Sequence, residues 1–135
     1  MTVSVAALTR VPLFEELDDR ELERLATEFK ERTFPAGSSV VSEGASGAAF
    51  FVIADGDATV TVEGEERARL GPGDHFGEIA LLADRVRSAT VTADTELRCY
   101  GLTPWEFRPF VEDHPQVAWK LLQALARRLR TPETT

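Results

Sequence analysis

From Ser39 to Thr103 the chain is cut into short β-branched or aromatic runs separated by turn residues. This punctuation constrains the fold more than any other feature. Val40-Val41, Phe50-Phe51-Val52-Ile53, Thr59-Val60-Thr61-Val62, Ala89-Thr90-Val91 and Cys99-Tyr100-Gly101-Leu102 read as strands. Asp55-Gly56, Glu63-Gly64 and Gly71-Pro72-Gly73-Asp74 read as the turns between them. Many short strands so punctuated predict a β-sandwich or barrel.

Helical patterns flank this stretch. Leu22, Leu25, Ala26 and Phe29 fall at the spacing of one buried face, which predicts a helix from about Asp18 to Lys30. Asp18 is placed to cap it with Glu21 three residues on, and Leu17 to staple against Leu22. Thr103-Pro104-Trp105-Glu106 has the form of a capping box with proline at the first helical position. Pro109 inside that helix predicts a kink or a split. Pro115 opens a last helix with Val117, Leu121, Leu122, Leu125 and Leu129 as its apolar stripe. Arg127, Arg128 and Arg130 complement the dipole of its final turn, and Thr131 to Thr135 reads as a frayed tail. The reading is therefore α+β, one domain over residues 1–135. It has a helical start at about 18–30, a β region at about 31–103 and C-terminal helices at about 104–130.

With 135 residues, 43% of them hydrophobic and 28% charged, the chain has the balance of a globular domain with one sizeable core. No apolar run approaches the length of a membrane span, and Met1 to Val11 lacks the pattern of a secretory signal. A lone cysteine, Cys99, excludes an internal disulfide, and the expected location is cytoplasmic. The net charge of −8 argues against broad binding to nucleic acid or anionic lipid. An anionic ligand would need a local cluster of donors to overcome that field.

One segment offers such a cluster: Phe76-Gly77-Glu78-Ile79-Ala80-Leu81-Leu82, four further residues, then Arg87-Ser88-Ala89-Thr90-Val91. Gly77 permits close backbone approach, and Ile79 to Leu82 can form one helical turn with free N–H groups at its start. Arg87, read as the start of the next strand, presents a planar fork matched to phosphate oxygens. Glu78 beside an anion is repelled unless the ligand donates to it, as a sugar hydroxyl next to a phosphate ester would. The same residues also fit a surface loop carrying a solvated ion pair.

At these positions the sequence resembles the cyclic-nucleotide-binding domain family of catabolite activators, kinase regulatory subunits and cyclic-nucleotide-gated channels. Gly77, Glu78, Ala80, Leu81, Arg87, Ser88 and Ala89 match its phosphate-binding cassette. Val40-Val41-Ser42-Glu43-Gly44 and Phe50 to Gly56 match a second family pattern. The resemblance implies an antiparallel jelly roll with one N-terminal helix, a short cassette helix and two C-terminal helices. It further implies that Arg87 pairs with a cyclic phosphate and Glu78 accepts the ribose 2′-hydroxyl. Amides near Ile79-Ala80 and Ser88-Ala89 would donate to phosphate and sugar, while Val60 packs on the base. Arg128 falls where some members cap the nucleotide, although a last-turn arginine needs no such role. Val86 departs from the proline many members carry before the cassette arginine, and Arg85 adds a decoy charge. The 135 residues themselves read as this domain alone, without a helix-turn-helix pattern, channel span or kinase-inhibiting segment among them.

The resulting expectation is a non-catalytic sensor of a 3′,5′-cyclic nucleotide, cAMP favoured over cGMP, with no cofactor beyond that ligand. Ser88 is permissive toward either nucleotide. Binding would be relayed through the C-terminal helices to an unidentified effector protein or fused domain, without direct contact to nucleic acid. The last helix can also pair with a second copy through its leucines. A metal-dependent enzyme would need a ligand cluster, and His75 and His114 read instead as turn or cap residues. Cys99 reads as core packing, and Ser88 has no evident partners for nucleophilic catalysis. The competing reading is a ligand-free interaction module that keeps the fold.

Overall fold

The chain is represented by a computed structural model that describes residues 4–44, 49–82 and 87–129, with Ile79, Ala80, Arg128 and Leu129 as backbone alone. Its strands are β1 (Lys30–Phe34), β2 (Ser39–Val41), β3 (Phe50–Asp55), β4 (Ala58–Val62), β5 (Glu65–Leu70), β6 (His75–Phe76), β7 (Thr90–Ala93) and β8 (Leu97–Leu102). They form two four-stranded sheets, in the orders β1-β8-β3-β6 and β2-β7-β4-β5, with every pairing antiparallel. This is the expected jelly roll.

Strand β3 shows why the sequence runs as it does. Phe50, Phe51, Val52 and Ile53 are all buried, so the usual in–out alternation is absent. The sheet is covered on both faces, which favours an unbroken apolar run. Phe50 and Val52 pack with the helices, together with Tyr100 and Leu102 of β8. Phe51 and Ile53 point into the sandwich with Ala58, Val91, Leu97 and Cys99. The expected single core is thus two cores, one on each side of this sheet.

Sequence patterning found the inner strands and missed β1, β5 and β6. All three are edges. β1 (Lys-Glu-Arg-Thr-Phe) and β5 (Glu-Glu-Arg-Ala-Arg-Leu) carry the charge that discourages edge-to-edge pairing and masks strand periodicity.

The N-terminal region holds two α-helices rather than one. α1 (Val5–Thr9) and a 3₁₀ turn (Pro12–Phe14) precede α2 (Asp19–Glu28). Five residues are too few to display helical periodicity, and Leu8, Val11 and Phe14 anchor the segment in the helix-side core. α2 begins as expected: Asp18 Oδ1 accepts from Glu21 N at 2.8 Å, and Glu21 Oε1 accepts from Asp18 N at 3.1 Å. It ends two residues before the expected Lys30, because Phe29 is extended and Lys30 enters β1.

After α3 (Glu78–Leu82), the C-terminal part comprises α4 (Pro104–Asp113) and α5 (Pro115–Leu129). Glu106 Oε1 accepts from the Thr103 backbone N–H at 3.0 Å and from its hydroxyl at 2.7 Å. Of the expected kink or split, the split does not occur, since α4 runs continuously through Pro109. The carbonyl that loses its donor belongs to Trp105, a residue 75% exposed, so water can replace the bond. In α5, Val117 and Leu121 are buried and Leu125 half-buried, but Leu122 is 57% exposed and is no part of the stripe. Arg127 is exposed, while the Arg128 and Leu129 side chains, Arg130 and the tail from Thr131 lie outside the described residues. No helix among the described residues is long and apolar enough to cross a membrane.

Candidate functional site

The β6–β7 connection turns sharply at Gly77, whose φ of 100° is one an L side chain rarely adopts. A Cβ there would lie 2.3 Å from the Ala49 carbonyl oxygen, so glycine is demanded by space as well as by dihedral. α3 follows at once, which agrees with the helical turn expected at this position. Arg85 and Val86 lie outside the described residues, as do the side chains of Ile79 and Ala80.

Arg87 re-enters three residues before β7 begins at Thr90, rather than as the first residue of the strand. Ser88 and Ala89 form a bend, and on either side of it Gly44 N donates to the Arg87 carbonyl at 2.8 Å and Glu43 N to Thr90 Oγ1 at 2.9 Å. The Glu43-Gly44 pair therefore clasps the returning segment.

Between this connection and the sheet of β2, β4, β5 and β7 lies a cavity of about 560 Å³. Val60, Val62, Leu70 and Val91 contribute an apolar wall, and Gly77, Arg87, Ser88 and Ala89 border the same space. Of the residues singled out by sequence, these four and Val60 meet at one cavity.

The Arg87 side chain is buried. Nη1 donates to the Gly77 carbonyl at 3.3 Å and Nη2 to the Ala49 carbonyl at 3.1 Å, while Nε has no hydrogen-bond partner among the described residues. Burial pulls the guanidinium below its ordinary value, and the negative charge of Glu78 partly restores it. A cation held mainly by neutral carbonyls at a cavity wall is an electrostatic setting that an anion would complete.

Glu78 is the carboxylate that the resemblance assigns to a ribose 2′-hydroxyl. It is fully buried and forms no part of the cavity wall among the described residues. Its Oε2 lies 3.4 Å from His75 Nδ1. His75 is a strand residue of β6, not the turn or cap residue its neighbours suggested. His114 does terminate α4, and its Nδ1 lies 2.8 Å from Glu21 Oε2. Cys99 is buried between the sheets, and burial pushes its thiol up to about 12. Among the described residues no group of three His, Cys, Asp or Glu side chains is arranged to hold a metal.

Sequence reading missed Arg67, which also borders the cavity. Val60 pairs with Ala68 and Thr61 with Glu66, so Arg67 is the extra residue of a β-bulge. The bulge lets Arg67 and Ala68 both line the cavity, although successive strand residues ordinarily face opposite ways. No local pattern in a charged edge strand announces such a shift.

Comparison with known proteins places these features in a family context. A family model described as the cyclic nucleotide-binding domain matches residues 31–114. The cAMP-dependent protein kinase regulatory subunit of Yarrowia lipolytica is 42% identical over 93 residues, covering 67% of this chain and 25% of that protein. The potassium/sodium hyperpolarization-activated cyclic nucleotide-gated channel 2 of Mus musculus is 33% identical over 107 residues, covering 79% of this chain and 12% of the channel. The chain thus spans a quarter or less of these curated relatives. Among solved structures, the Thermus thermophilus catabolite activator protein superposes with a TM-score of 0.79 at 34% identity, over 88% of this chain and 58% of that one. The N-terminal domain of a transcriptional regulator from Streptomyces coelicolor A3(2) gives 0.72 at 33% identity, over 92% of this chain and 90% of that one.

Proposed function

Since the chain belongs to the cyclic nucleotide-binding domain family, we propose that the cavity beside Arg87 takes a 3′,5′-cyclic nucleotide, cAMP in preference to cGMP. In this reading residues 1–135 act as one domain. Arg87 pairs with the cyclic phosphate, and Glu78 accepts the ribose 2′-hydroxyl. Gly77 lets the backbone approach, amides of Ile79, Ala80, Ser88 and Ala89 donate to phosphate and sugar, and Val60 packs on the base. Binding is relayed through α4 and α5 to an effector protein or fused domain, and the chain itself carries out no catalysis.

The observation that carries this reading is the buried Arg87 guanidinium on the cavity wall, its Nε without a partner among the described residues. Each charge-assisted hydrogen bond contributes about 1.5–3 kcal/mol. Two or three of them, with a base against Val60 and Val62, reach the roughly −8 kcal/mol of micromolar binding. The preference for cAMP is supported by relatives named for cAMP at 42% identity.

Calorimetric titration with cAMP, cGMP and their competition tests the proposal. Saturable heat with cAMP, displaced only weakly by cGMP, is expected. No heat and no thermal shift at millimolar nucleotide would favour the ligand-free interaction module.

A further inference from the structure

His75 stands between Glu78 and a second cavity. On one side is Glu78, with Nδ1 3.4 Å from Oε2. On the other is a second cavity of about 560 Å³, bordered by the 3₁₀ turn, the β5–β6 turn and α5. The ring is held in place: it lies 5.7 Å from the Phe50 ring, which in turn lies 5.1 Å from Phe107 of α4.

The charged groups that share this cavity with His75, and the one in contact with its ring, come from several elements. α3 presents Glu78, the preceding turn Asp74, the segment before α2 Glu15, and α5 Lys120 and Arg127. Lys120 is engaged by Glu15 and by Glu16 at 3.3 Å, and Asp74 Oδ2 accepts from Gly71 N at 2.8 Å. Glu78 is therefore the partner that the imidazole addresses directly.

We infer that His75 is a positioning residue for Glu78, and that proton uptake on its ring strengthens binding of the anionic ligand. The inference rests on the functional reading above. Without the proton, Arg87 and Glu78 contribute opposite charges, and the ligand phosphate meets a balanced pair. With it, the same three side chains carry one net positive charge, which favours a monoanion. The charged ring also donates Nδ1–H to Oε2, leaving the other carboxylate oxygen to accept a sugar hydroxyl. Imidazole is the side chain that changes charge in the neutral range, and a cyclic phosphate stays monoanionic throughout it.

Two measurements test this. Calorimetric affinity for cAMP is compared at about pH 8 and about pH 6. Wild-type protein binds at least about threefold tighter at the lower pH, whereas His75→Gln binds with an affinity that does not respond. An equal response in His75→Gln, or none in wild type, overturns the inference while leaving nucleotide binding intact. Absence of binding at both pH values would end both readings. The second measurement uses wild-type protein alone, so it does not depend on the variant folding. Reciprocity requires that saturating cAMP move the His75 imidazole NMR titration to higher pH. An unmoved His75 titration overturns the proposal.

Discussion

Gly77 and Arg87 hold one another at the cavity wall. Arg87 Nη1 donates to the Gly77 carbonyl at 3.3 Å and stands 3.0 Å from the point where a Cβ on Gly77 would lie. The site can close this tightly only because one of the two residues has no side chain.

Gly77→Ala should therefore damage both fold and site. The new methyl meets the Ala49 carbonyl at 2.3 Å, and the φ of 100° is strained for any L side chain. The expected loss of stability is about 1–3 kcal/mol, with cAMP affinity reduced at least about tenfold. Urea denaturation and calorimetry read the two effects, and a wild-type denaturation midpoint would contradict this account of the turn.

Arg87→Met should separate stability from binding. It keeps the aliphatic stem and removes a charge that burial disfavours, but it also removes the donors to Gly77 and Ala49. These effects oppose each other, so the unfolding free energy should change by less than about 1 kcal/mol. Affinity should still fall at least about tenfold. Retained affinity would remove Arg87 from the phosphate contact.

Glu78→Gln tests the sugar contact. The wild-type protein should prefer cAMP over its 2′-deoxy analogue by about tenfold or more, the worth of a hydrogen bond to a charged acceptor. The variant should lose most of that preference in competition binding. A preference left intact would assign ribose recognition to another group.

Cys99 sets an alkaline limit. Burial raises its thiol from 9.0 to about 12, so the folded protein keeps the proton while the unfolded chain loses it above about pH 9. This stabilisation is complete below about pH 9 and is lost as pH rises toward 12. Denaturation between about pH 8 and pH 10 should show a steeper decline for wild type than for Cys99→Ala. Parallel declines would mean that the thiol ionises without penalty in the folded state.

The proposed relay has its own reporters. Trp105 on α4 is 75% exposed and Trp119 on α5 is 61% exposed. If nucleotide repacks these helices, the emission of Trp105→Phe and Trp119→Phe, each retaining one indole, should shift on saturation with cAMP in at least one case. Unshifted spectra in both would confine the response to the cassette.

Much of this molecule could be read along the chain. The inner strands announced themselves through Phe50 to Ile53 and Cys99 to Leu102, and the turns through Gly56, Gly64 and Gly73, each at positive φ. Asp18 with Glu21 marked the start of α2 because a cap is chemistry between residues three apart. The residue types of Gly77, Glu78 and Arg87 marked a candidate anion site, and its match to the family's cassette came from resemblance. Local dihedral demands, caps and donor types are properties of neighbours, and neighbours are what a sequence displays.

The remainder depended on residues far apart in the chain. Only packing showed that β3 is covered on both faces, that charged β1 and β5 are edge strands, and that α1 is held by the helix-side core. The orientation of Glu78 toward His75 and the bulge that brings Arg67 to the cavity are likewise tertiary outcomes. The physical reason is common to all of them. Burial and register are set by which distant segments meet, and the sequence lists those segments without stating where they come together.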